Sequence, residues 1–189
     1  VINGNISLSI LPSPSFSAKD VSVSNVEDGQ AKNFISLKSV DVNVAFFPLL
    51  RWQIKVKKFI LVEPIVAIEI DKNGRGNWEF GTGQTNTDDQ NSSTELSFEQ
   101  FQIENGQISF QNLATDQLEL VRMINASVII DSLQGPFEVK GKARYKNLPL
   151  SMDLVLGTIR QGRKIPIKLD LGLIDDDVRI KFSGGLMLD

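Results

Sequence analysis

Phe137-Glu138-Val139-Lys140-Gly141-Lys142-Ala143-Arg144-Tyr145 alternates apolar or small residues with charged ones, and this beat of two runs on almost to the C-terminus. Leu148, Leu150, Met152, Leu154 and Leu156 share one parity; so do Ile165, Ile167, Leu169, Leu171 and Leu173, and then Val178, Ile180, Phe182, Leu186 and Leu188. Successive side chains on a strand point to opposite faces, so each segment carries one apolar and one wet face. The spacing predicts a four-strand antiparallel meander, because its turns are too short for crossover helices. The fold class that follows is mainly β, with one long amphipathic sheet. A sheet of this length has no helices of its own to lie across its apolar face. What covers that face is therefore the functional question, and a second copy, a lipid and a membrane are the candidates.

Upstream the same beat is punctuated more often. Ile6, Leu8 and Ile10 form a short strand before Pro12 and Pro14, a second strand carries Val21 and Val23, and Glu27-Asp28-Gly29 reads as a turn. Val40, Val42, Val44 and Phe46 alternate with Asp41 and Asn43 and run into Phe47-Pro48-Leu49-Leu50-Arg51, which suits one short helical turn near 46–51. Ile54 and Val56 then stand on the opposite parity from Phe59 and Leu61, so a bulge at Lys57-Lys58 is expected to reset the phase. Residues 82–94 are all polar or glycine and read as a flexible loop. That loop divides the chain into an N-terminal part of the sheet, 1–81, and a C-terminal meander of the same domain, 95–189. Ile103-Glu104-Asn105-Gly106-Gln107-Ile108 reads as a hairpin, because Asn-Gly suits a turn whose central residues both take positive φ. Leu118, Leu120, Ile124, Val128 and Ile130 make a longer, less regular strand.

Composition narrows the chemistry. The chain has 189 residues, 41% of them hydrophobic, enough for one domain with a real core. It has no cysteine, hence neither disulfides nor thiolate metal sites. It has no histidine, which removes the usual general base, the commonest zinc ligand and every Ser/His or Cys/His nucleophile. Its carboxylates are scattered over turns and wet faces with no nameable acid/base pair. No enzymatic activity and no cofactor are expected. The net charge of −3 makes nucleic acid a poor partner. No apolar run reaches the length of a membrane-spanning helix. One tyrosine and two tryptophans are too few for the aromatic girdles of a transmembrane barrel.

Apparent motifs resolve into ordinary surface features. Asp71-Lys72-Asn73-Gly74-Arg75-Gly76 opens like a calcium loop, but Arg75 stands where an oxygen ligand belongs and Thr82 where the loop needs glutamate. No metal site is expected there. Asp175-Asp176-Asp177 reads as a solvated hairpin turn, with a calcium site as the lesser alternative. Lys140, Lys142, Arg144 and Lys146 form a basic stripe suited to a wet outer face and compatible with a lipid headgroup.

Pro12-x-Pro14 after a short strand, Phe47-Pro48-Leu49-Leu50-Arg51, Ile60-Leu61-Val62-Glu63-Pro64-Ile65-Val66, Asp71-x-x-Gly74-x-Gly76-Asn77-Trp78 and Ile103-Glu104-Asn105-Gly106-Gln107-Ile108 occur in the order of the N-terminal region of the AsmA family, which the chain resembles over about residues 4–157. The resemblance implies the periplasmic part of a Gram-negative inner-membrane protein, anchored by a hydrophobic helix expected just upstream of Val1. It also implies kinship with chorein-like bridge-type lipid-transfer proteins, whose strands curl into an open, taco-like groove. The expected fold is therefore a long antiparallel curled sheet forming such a groove or half-barrel, with a closed β-sandwich as the alternative.

In a trough the apolar parity would line the interior. The candidate groove residues are Val40, Val42, Val44, Val139, Leu150, Met152, Leu154, Ile167, Leu169, Leu171, Ile180 and Phe182. Each acyl methylene removed from water there gains about 0.8 kcal/mol. The bilayer offers the same gain, so net affinity would be small and exchange easy, which suits transfer. The expected function is binding of phospholipid acyl chains in support of phospholipid transport to the outer membrane. The alternative is a non-enzymatic scaffold that modulates outer-membrane protein assembly around a closed, dry core.

Overall fold

The computed structural model describes residues 1–10, 14–51, 55–78, 97–130, 134–159, 163–174 and 177–186. The expected loop at 82–94, Pro12, Ile54, Leu188 and the Asp175-Asp176 part of the acidic turn lie outside them. The described chain is almost entirely strand: β1 (Ile6–Ser9), β2 (Ser15–Ser24), β3 (Asn33–Val44), β4 (Lys55–Val62), β5 (Ile65–Ile70), β6 (Ser97–Asn112), β7 (Gln117–Ile130), β8 (Phe137–Tyr145), β9 (Leu148–Leu156), β10 (Ile165–Leu173) and β11 (Arg179–Leu186). One helical turn, α1 (Phe46–Leu49), joins β3 to β4 where the proline-containing apolar cluster predicts it. Pro48 is tolerated because the N–H it lacks would have no partner in a first turn.

All eleven strands form one sheet, in the order β1-β2-β3-β4-β6-β7-β8-β9-β10-β11, with β5 paired to both β3 and β6. β8 to β11 are the antiparallel meander read from the sequence. The turn between β8 and β9 is Lys146-Asn147, both at positive φ (47° and 67°), as a two-residue hairpin requires. The expected bulge is present: Asn43 opposes Lys58 and Val44 opposes Val56, leaving Lys57 as the extra residue. It keeps Val56 and Phe59 on one face despite their opposite parity.

One expectation is sharpened and one corrected. Pairing is mostly antiparallel, as expected, but β4 and β5 both run parallel to β6. The long connection between β5 and β6 permits this, because a parallel pair needs a crossover and not a tight turn. Asn105-Gly106 is no hairpin, because β6 passes straight through it. Asn105 takes φ 53°, but Gly106 does not join it at positive φ, so the chain kinks without reversing. The kink abuts the Glu63-Pro64 break between β4 and β5, where the Glu63 N–H donates to the Glu104 carbonyl (2.8 Å) and the Gln107 N–H to that of Pro64 (2.7 Å). A Cβ at Gly106 would come within 2.9 Å of the Ile103 side chain, so glycine is needed there for space.

These irregularities line up. Asp20, Glu63, Asn105 and Met123 all have φ near 50° and form a crease across β2, the β4–β5 junction, β6 and β7. Apolar parity changes there along β4 to β5 and along β6, from Leu61 to Val66 and from Ile103 to Ile108.

Among the described residues no second layer covers the sheet. Contacts between described elements run between hydrogen-bonded neighbours, β1 and β11 do not pair, and the sheet stays open. The closed β-sandwich is thus not the fold adopted; the open curled sheet is. Buried apolar residues reduce to Ala18, Ala45, Val56, Ala67, Ala126 and Ile165 among those described. The accessible surface, 13632 Å², compares with about 9,000 Å² for a compact chain of this mass.

Candidate functional site: the apolar face

Cross-strand partners share a sheet face, so the pairing register reads out the surface directly. One line of partners runs Leu8, Phe16, Val42, Phe59, Phe101, Val128, Val139, Leu154, Leu169, Phe182, crossing ten strands without a polar residue. Two residues along each strand, on the same face, a second line runs Ile6, Ala18, Val40, Leu61, Ile103, Ala126, Gly141, Met152, Leu171, Ile180. Beyond the first line, Val44 opposes Val56, and Ile130, Phe137, Leu156 and Ile167 continue a third. Phe59 and Phe101 stack at 5.4 Å, nearly parallel. At Gly141 a Cβ would meet Ala126 at 2.8 Å, so the smallest residue fits this close approach.

The opposite face is wet. Its corresponding line is Ser7, Ser17, Asp41, Ile60, Gln102, Ser127, Lys140, Asp153, Asp170, Lys181, with Ile60 its single apolar member. Asp170 there pairs with Arg179 (3.0 Å) and Lys181 (3.5 Å). The basic stripe of β8 is exposed on this side.

All twelve candidate groove residues lie on the apolar face by register. Most are half-buried, flanked by sheet neighbours, whereas Ile180 and Phe182 on the outer strand are exposed (65% and 54%). Phe137 and Leu156, on the apolar parity of the meander, extend that surface, and Phe16, Phe59, Phe101 and Val128 join it where the sequence reading did not place them. Each has the right parity, but the partners across β4, β6 and β7 become visible only once bulges and the parallel junction fix the register.

A second feature, a buried polar cluster, lies at the end of β5. Glu69 is 3% exposed and its carboxylate accepts from the Asn25 side chain (3.0 Å) and from the backbone N–H groups of Gln30 (2.9 Å) and Ala31 (2.7 Å). The Asn77 carboxamide accepts from the Glu69 N–H (2.9 Å) and donates to the Ala67 carbonyl (2.7 Å) and to Asn25 Oδ1 (3.0 Å). An open cavity of about 390 Å³ adjoins it, bordered by Val26, Asp28, Arg75 and Leu113 among others. Every polar atom of this cluster has a partner, so the arrangement is a clasp that covers β5 where β3 has left it. Asp71 is absorbed by its own turn. Chiefly the Arg75 N–H, then the Asn73 N–H and both side chains, hold its carboxyl below the usual range despite opposing desolvation.

At the β7–β8 edge of the same end, Tyr145 donates to Glu119 (2.6 Å), which also pairs with Lys146 (3.2 Å). The Tyr145 hydrogen bond first, then Lys146, lowers the Glu119 pKa; the Tyr145 hydroxyl and Glu119 raise that of Lys146. Among the described residues no cluster of acidic side chains suits a metal ion, and no helix is long and apolar enough to cross a membrane.

The sheet presents an apolar face that no other described element covers, and among known proteins the AsmA family matches residues 1–167, most of the chain. This chain belongs to the AsmA family. No curated protein and no solved structure matches it. AsmA membership associates it with the bacterial envelope and suggests a role there in lipid transport or assembly.

Proposed function

We propose that this AsmA-family chain is the periplasmic part of an inner-membrane-anchored protein, that it holds phospholipid acyl chains along its apolar face, and that it supports phospholipid transport to the outer membrane. The observation that carries the reading is the set of apolar lines crossing the sheet with no layer of the described residues over them. An apolar surface of this extent in water is costly, at about 25 cal/mol per Å², and exposed patches far smaller already mark binding sites. A flexible, non-directional ligand such as an acyl chain suits a surface that offers no polar group to orient a head. The wet face, with its alternating charges, keeps the other side in solvent. The absence of histidine and cysteine agrees with a carrier that performs no chemistry.

The test is organic extraction of the purified chain followed by mass spectrometry. Phospholipid recovered in stoichiometric amount, and exchanged for labelled lipid from vesicles, is the expected result. Protein that neither retains nor accepts lipid would favour the scaffold.

A further inference from the structure

The apolar residues at the β3–β4 connection take no part in the sheet face, and their environment differs from that of the groove. The loop base is fixed: Ala45 is buried, its N–H donates to the Lys55 carbonyl (2.8 Å), and the Val44 N–H donates to that of Pro14 (2.9 Å). On this base α1 projects Phe47, at 79% the most exposed large apolar side chain among the described residues, together with Leu50 (66%) and Leu49 (37%). Phe46 packs edge-on against Phe47 (5.8 Å between centroids), which stiffens the tip. Arg51, Lys55 and Lys57 beside it are exposed, and Lys58 follows. In a chain of net charge −3, the stretch between Asp41 and Glu63 holds four cations and no acidic residue.

We propose that this tip is a membrane-docking element: Phe47, Leu49 and Leu50 enter the interfacial region of an anionic phospholipid surface while Arg51, Lys55 and Lys57 meet its headgroups. Aromatic and leucine side chains ringed by cations are the composition that binds at an anionic interface, through apolar burial plus attraction to headgroups. Charge complementarity selects this occupant. The tip lies at the β3–β4 end of the sheet, next to the Val44–Val56 pair that ends the apolar lines there. A docked tip would therefore bring that end of the face to the bilayer. The proposal stands on the tip residues and does not need the groove to be occupied.

The experiment is co-sedimentation of the chain with phosphatidylcholine vesicles, with and without about 30% phosphatidylglycerol, at low and at 0.5 M salt. Binding is expected only to the anionic vesicles, weakened by salt. Removing one exposed cation by Arg51→Ala should weaken it about fivefold. Phe47→Asp should abolish it without unfolding the chain, since the side chain is solvent-exposed. Leu118→Asp, at another exposed apolar position away from the tip, should leave binding unchanged. Leu154→Asp, which addresses the groove, should also leave it unchanged, so the two readings fail separately. Absence of sedimentation with anionic vesicles, equal binding to neutral ones, or binding indifferent to Phe47→Asp would overturn the proposal. So would a Phe47-dependent dimer without vesicle binding.

Discussion

At the scale of single residues, the polar groups of this chain hold its turns and its end, and each makes a measurable statement. Because the Tyr145 hydroxyl and Lys146 lower the Glu119 pKa, that carboxylate contributes stability above the ordinary glutamate range, and the contribution is lost as pH falls through the depressed value. Tyr145→Phe should move the Glu119 pKa back up, read by carbon NMR of the carboxyl; an unchanged titration would mean that the phenol is not its partner in solution. Asn77→Ala strips partners from the Ala67 carbonyl, the Glu69 N–H and Asn25 at a buried site, and should cost about 1–3 kcal/mol in denaturant unfolding. Lys72→Ala, on the exposed turn nearby, should stay within about 0.5 kcal/mol. A clasp that tolerated Asn77→Ala as easily as Lys72→Ala would not be structural. In the sequence Glu69 stands between Ile68 and Ile70, the position of a wet-face residue on a strand. Its burial depends on residues 25–31 folding over from far away in the chain, which no local pattern encodes.

At the scale of elements, the bulges decide which face each strand shows. The Lys57 bulge was readable, because a phase slip between Val56 and Phe59 has one economical explanation. The Asn105-Gly106 hairpin was misread for an equally physical reason. A left-handed asparagine serves a turn and a strand kink alike, and the choice between them is made by Glu63-Pro64 in a distant strand. The crease predicts a specific asymmetry. Asn105→Val forces a β-branched residue into φ 53° and should destabilise by about 1–2 kcal/mol, whereas Asn105→Gly, which adopts that conformation freely, should not. Thermal or denaturant unfolding of the two variants distinguishes them. If valine were harmless, the kink would not be required by the fold.

At the scale of the whole molecule, the chain is a single amphipathic layer, and its meander was legible because period-two alternation and short turns leave little choice of pairing. The join between its halves was not legible: parallel pairing of β4 and β5 with β6 depends on a long connection whose path the sequence does not specify. The central claim is that the uncovered face is a lipid surface. Leu154 and Leu169 lie on it, and Asp153 and Lys168 are exposed on the wet side. Charge placed on an apolar surface is costly when dry, but an open groove can hydrate it. The most direct measurement is the phospholipid that co-purifies per chain for wild type, Leu154→Asp, Leu169→Asp, Asp153→Leu and Lys168→Leu, taken alongside thermal unfolding. The account predicts folded protein throughout, lipid lost in the two leucine variants, and lipid retained in the other two. Wild-type protein that never carries lipid, with leucine variants that unfold, would contradict it.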